Sequence, residues 1–151
     1  MEESDDNNDY EPRRPPGLTL LGGLYLFFFL ITISGFGQPI PFFGAIYQGR
    51  VAEMLVYLDS ILCLYIFLGL IKRQRATWYL LLGYNLFQLS NTGVNLIGIA
   101  PTELEKILGS RVDHSRLVSS NLTVMVAIVL LTVFIFRQRS AFTNRSLYLF
   151  K

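Results

Sequence analysis

The sequence predicts an all-α integral membrane protein, a four-helix bundle with a short interfacial amphipathic helix. Three observations predict it. Slightly over half of the 151 residues are hydrophobic, and the mean hydropathy is positive. A soluble domain of this size needs more polar surface than that leaves. The charge is also unevenly placed, with six of the eleven acidic residues in the first eleven positions. The remainder sits in short clusters between four long apolar runs, each close to the 20 residues that cross a hydrocarbon core.

Residues 1–16 carry high charge, three prolines and no apolar period, which predicts a disordered acidic cytoplasmic tail. A signal peptide starts basic and continues apolar, the opposite of this order. The first span is expected over 17–37. Gly17, Gly22 and Gly23 suit a membrane helix that another helix approaches closely. Residues 38–50 carry Pro39 and Pro41 and then Phe42, Phe43, Ile46 and Tyr47. The prolines break a helix, and the aromatics place this loop in the interface or partly re-entrant.

The second span, 51–71, holds Glu53 and Asp59. A mid-membrane Asp costs about 3 kcal/mol, and each Leu, Ile, Phe or Val returns about 0.3–0.6. Twelve such residues return roughly 5 kcal/mol, so the run inserts. Lys72-Arg73-Gln74-Arg75 forms a short basic turn. The third span, 76–100, is the most polar, with Asn85, Gln88, Ser90, Asn91, Thr92 and Asn95 inside it. Pro101 to Arg116 is a polar connection. Thr102 and Glu105 have capping-box spacing, Leu104, Ile107 and Leu108 make one apolar stripe, and Gly109 ends the turn. The fourth span is 117–136, and 137–151 reads as a basic cytoplasmic tail.

Lys and Arg near the helix ends set the orientation. With four spans, nine basic residues fall on the side of both termini and four on the other. Both termini are therefore expected in the cytoplasm. The basic clusters suit anionic lipid head groups. The net charge of +2 and the lack of a basic stripe exclude nucleic acid as a partner.

One cysteine, Cys63, and one histidine, His114, neither build a zinc site nor hold a haem from both sides. No metal, cofactor-binding or catalytic residue is assigned. Asp113, His114 and Ser115 are adjacent, whereas triad members converge in space from separate positions. Cys63 reads as a small apolar filler. Asn121-Leu122-Thr123 matches a glycosylation acceptor too close to the membrane for use.

The candidate site is a polar intramembrane seam of Glu53, Asp59, Asn85, Gln88, Asn91 and Asn95. On the third helix Asn85, Gln88, Thr92 and Asn95 are spaced three, four and three apart, which puts them on one face. Counting outward from the 72–75 turn, Asp59 comes level with Gln88 to Asn91, and Glu53 with Val94 and Asn95. The seam reads as hydrogen-bonded helix glue, as a path for a proton, ion or substrate, or as a contact with another subunit. Arg50 and Glu53, three apart, suit an ion pair at the helix end.

Arg14-Pro15-Pro16-Gly17-Leu18-Thr19, with Gly23-Leu24-Tyr25 after it, resembles the opening of small prokaryotic four-span membrane proteins that begin Arg-Pro-x-Gly-x-Thr. Leu68-Gly69-Leu70-Ile71-Lys72-Arg73-Gln74-Arg75-Ala76-Thr77-Trp78 is similar to their second-to-third helix turn. The resemblance implies four spans and a prokaryotic plasma membrane. It departs at the Pro39–Pro41 loop and the polar third helix, and it implies no catalytic residue. The expected function is a non-enzymatic accessory or scaffold subunit of a larger membrane complex, with other membrane subunits and the bilayer as partners. The alternative is a small oligomeric transporter or channel with its polar path along the second and third helices.

Overall fold

The computed structural model describes residues 15–145 apart from 110 and 112, with no side chain for Leu108. The acidic segment read at 1–16 therefore lies, up to residue 14, outside the described residues, as does 146–151 of the basic one. The order is α1 (Pro16–Ser34), a two-stranded hairpin of β1 (Ile40–Phe42) and β2 (Ala45–Tyr47), α2 (Gly49–Ile71), α3 (Arg75–Gly98), α4 (Pro101–Leu108) and α5 (His114–Arg137). A single 3-10 turn, Arg139–Ala141, follows. Three helices, α1, α2 and α5, are long and apolar enough to cross a membrane. The 24 residues of α3 have the length, but the seam residues lower its apolar content.

Each helix starts and stops for a local reason. Pro16 opens α1, where its missing N–H is no loss. The helix ends at Ser34, three residues before the expected end, because Gly35 caps it and Gly37 takes a positive φ of 81°. Asp113 caps α5 by accepting a bond from the Ser115 amide. That bond starts the helix at His114 instead of Leu117. The expected Thr102–Glu105 capping box does not form. Pro101 takes the first helical position and Ala100 is the N-cap, so Thr102 already lies inside the first turn. Gly109 closes α4 in the left-handed region, φ 66°.

Among the described residues the hairpin is the main departure from an all-α reading. Ile40 pairs with Tyr47, Pro41 with Ile46 and Phe42 with Ala45. Pro41 is tolerated because both strands are edges. Phe43 and Gly44, at φ 45° and 81°, make the two-residue turn with positive φ at both positions that matches strand twist. The α3 helix holds that turn in place. The Phe43 amide donates to Asn91 Oδ1 at 2.8 Å and the Gly44 amide to Asn95 Oδ1 at 2.7 Å. Phe42 and Phe43 rest their rings on Phe87.

The helices pack as two pairs, α1 along α2 and α3 along α5, with α2 and α3 also in contact. At the 72–75 turn α2 and α3 come so close that a Cβ on Gly69 would collide with the Thr77 hydroxyl. The core lies at this end: Leu18, Leu21 and Tyr25 of α1, Ile66 and Leu70 of α2, Trp78 and Leu81 of α3, and Ile135 of α5. The residues after α5 turn back and close it. Phe142 is fully buried, the Asn144 amide donates to the Arg73 carbonyl, and the Arg75 amide donates to the Asn144 carbonyl. Arg73 Nε donates to the Ala141 carbonyl at 3.1 Å, and Arg139 stacks over Trp78. Among the described residues this buried cluster thins toward the hairpin, and cavities open beside it.

Candidate functional site

Asp59 sits near the middle of α2, ten residues from its first residue and twelve from its last. Its carboxylate accepts three hydrogen bonds, all from neutral groups. Tyr84 Oη of α3 donates to Oδ1 at 3.0 Å, Gln88 Nε2 to Oδ1 at 3.3 Å, and Thr32 Oγ1 of α1 to Oδ2 at 3.3 Å. Gln88 Nε2 also donates to the Tyr84 oxygen at 2.8 Å, and the Cys63 sulfur lies 3.4 Å from it. One phenol thus links a carboxylate, an amide and a thiol on two helices. Cys63 is a polar contact here as well as a filler.

A second network lies one turn closer to the 72–75 end. Tyr25 Oη donates to Asn85 Oδ1 at 2.9 Å, and Asn85 Nδ2 donates to Thr132 Oγ1 at 3.1 Å. Thr132 donates onward to the Ile128 carbonyl. Asn85 is 3% exposed, so both of its bonds matter: a buried amide without partners costs about 1–3 kcal/mol. This network fastens α1, α3 and α5 together.

The six seam residues therefore divide by position. Asp59 and Gln88 share one cluster, and Asn85 belongs to the network beside it. Asn91 and Asn95 hold the hairpin, where Asn95 Nδ2 also donates to the Pro41 carbonyl at 3.2 Å. In an apolar medium the hairpin backbone must be satisfied by protein, and these two amides do that. Glu53 joins none of them; among the described residues it makes no hydrogen bond, and the Arg50–Glu53 ion pair is not formed. The only ion pair among those residues is Arg116 with Asp113, 3.6 Å apart on the surface.

Sequence reasoning missed Tyr25, Thr32, Tyr84 and Thr132. Each sits in an apolar run and counts toward hydropathy or helix packing. Tyr84 lies four residues before Gln88, the spacing of a same-face pair, and that was the available signal.

Two cavities meet at this cluster. One, of about 520 Å³, lies on the hairpin side between Phe42, Leu58, Phe87 and Leu104. The other, of about 720 Å³, lies between α1 and α5, walled by Leu24, Phe28, Leu131 and Phe134. Asp59, Gln88, Thr92 and Val124 line both. No family model, curated protein or solved structure matches the chain. The geometry alone carries the functional argument.

His114 is exposed in the first turn of α5. Asp113 is spent on the helix cap, accepting from the Ser115 amide at 2.9 Å and its hydroxyl at 2.8 Å. Those bonds hold the Asp113 carboxyl below the usual carboxylate range. The three adjacent residues build a helix start. Among the described residues no group of three His, Cys, Asp or Glu side chains comes together as a metal site.

Proposed function

We propose that this chain is a four-span, non-enzymatic membrane protein that binds and passes a small ligand at mid-depth, along a path between its second and third long helices. The observation that carries this reading is the sharing of Asp59 and Gln88 by two cavities on opposite sides of one cluster. A carboxylate in the bilayer is costly, and it is retained where it faces a cavity or a partner. Packing alone would favour filling that space with apolar side chains.

The fourth crossing is α3. Its polar side chains Asn85, Gln88, Asn91, Thr92 and Asn95 are buried or half-buried, while Leu86, Val94 and Ile97 are exposed. That inside-out order suits a helix set in lipid among other helices. The excess of Lys and Arg on the side of the 72–75 turn supports cytoplasmic termini, and the resemblance of the opening residues supports a prokaryotic plasma membrane.

Water access to the shared wall tests the reading without knowledge of the ligand. In a Cys63→Ala background, Thr92→Cys should react with a small water-borne thiol reagent in intact membranes, because only the thiolate reacts and it forms in water. Val126→Cys, on the exposed apolar face of α5, should stay unlabelled. Absence of reaction at position 92 would overturn the path.

A second reading is an accessory subunit of a larger membrane complex. The cavity between α1 and α5 favours it, since its apolar walls match the ridge of a partner's helix. Purification of the tagged chain in mild detergent, with mass spectrometry, decides: a membrane protein at fixed stoichiometry carries the subunit reading, and elution alone removes it.

A further inference from the structure

We propose that Asp59 recognises a lipophilic organic cation, an ammonium or phosphonium group on an apolar body, seated in the cavities beside it. The inference rests on the ligand-binding reading above and names the class of ligand. Four observations converge on it. First, the three donors to the carboxylate, from Thr32, Tyr84 and Gln88, are all neutral. Among the described residues no Lys, Arg or His pairs with it, so an ionised Asp59 has no countercharge from them. Asp59 is half-buried, and a charge withdrawn from water favours a partner of opposite sign.

Second, the carboxylate is oriented and incompletely occupied. Oδ1 receives two donors and Oδ2 one, whereas a carboxylate offers about four acceptor positions. Oδ2 is thus open to a positive charge: an ammonium N–H can donate to it, and a phosphonium, which has no donor, meets it by charge alone.

Third, the walls are apolar and partly aromatic: Phe42 and Phe87 on one side, Phe28 and Phe134 on the other. Aromatic faces attract organic cations at short range. The volumes of about 520 and 720 Å³ fall within the roughly 300–1,000 Å³ that drug-sized ligands occupy. Fourth, a hard metal cation fits poorly. Calcium takes about six to eight oxygen ligands and magnesium demands octahedral geometry, and Asp59, the single acidic side chain lining either cavity, falls well short of such a ligand set. A lipophilic cation uses the charge and the walls together.

The test is equilibrium dialysis of radiolabelled tetraphenylphosphonium against the purified full-length chain in nonionic detergent. Saturable binding is expected, weakening as pH falls because protons compete for the carboxylate. Triphenylphosphine oxide, neutral and of similar bulk, should compete at least tenfold less well. Asp59→Asn keeps the shape and removes the charge, and should lose at least tenfold in affinity while eluting as a single peak on size exclusion. Equal competition by the neutral analogue overturns the proposal on the wild-type chain alone. So does unchanged binding in the variant. Reaction of Thr92→Cys with the thiol reagent but no phosphonium binding would reject the ligand class and keep the path. Failure of both would reject the path itself.

Discussion

The Tyr84 hydroxyl lies 3.0 Å from Asp59 Oδ1 and 2.8 Å from Gln88 Nε2, so one phenol ties the carboxylate of α2 to the amide of α3. Tyr84→Phe removes the donor to Asp59, the acceptor for Gln88 and the contact with Cys63 without changing the ring. Hydrogen bonds between membrane helices average about 0.6 kcal/mol. Two of these contacts, to Asp59 and Cys63, cross between helices, so the variant should lose roughly 1 kcal/mol of stability, read as an earlier midpoint in a detergent denaturation series. A midpoint equal to wild type would remove Tyr84 as the organising group.

Asn91 and Asn95 secure the hairpin turn at Phe43 and Gly44. Asn95→Leu should free the Gly44 amide, which then exchanges with deuterium at least tenfold faster, the equivalent of about 1.4 kcal/mol of lost protection. Exchange in the hydrophobic core around Tyr25 and Leu81 should not change. Unaltered protection at Gly44 would mean that the strand pairing holds the turn without α3.

The contact of Gly69 with Thr77 leaves no room for a methyl group. Gly69→Ala should cost about 1–3 kcal/mol through overpacking, measured in the same denaturation series. Thr77→Ala removes the colliding oxygen but leaves its Cβ 3.0 Å from the new one, so the double variant should recover only part of the loss. Full stability in Gly69→Ala would show that the two helices separate easily at the turn.

Asp113 gives α5 an acid-sensitive start. Its bonds to the Ser115 amide and hydroxyl place its folded pKa below the unfolded value. A depressed carboxyl pKa contributes stability above the unfolded pKa and loses it as pH falls through the folded one. Helical protection in the first turn of α5 should therefore persist as pH enters the usual carboxylate range and drop below it. Ser115→Ala should move the Asp113 titration upward in a carboxyl NMR series. An unmoved titration would assign the shift to the backbone amides of Ser115 and Arg116 instead.

Hydropathy alone located α1, α2 and α5, because long apolar runs need no tertiary knowledge to recognise. It also found the one-sided polar pattern on α3 and the short turn at 72–75. What escaped it depends on distant partners. The hairpin lacks the Asn-Gly pair that usually announces such a turn, and its Phe43-Gly44 turn is secured by amides about fifty residues away. Tyr25 and Tyr84 count as hydrophobic until a polar neighbour appears at the hydroxyl. Asn91 and Asn95 share a face with Gln88, yet they serve the hairpin and Gln88 serves Asp59; spacing shows the face and not the recipient. The return of Phe142 to the core rests on a segment too short to carry a period.

The clasp of Asn144 on the 73–75 backbone ties the assembly of this protein to its synthesis. Residues 139–144 leave the ribosome after α1 to α5 have been made, yet they cover the end of the core where α1, α2 and α3 converge. The earlier helices must wait in the insertion machinery or in lipid with that end uncovered, and Gln138 reaches Gly17 only once α5 is in place. A chain stopped short of Phe142 would carry α1 to α5 and still present an open seam to cellular quality control.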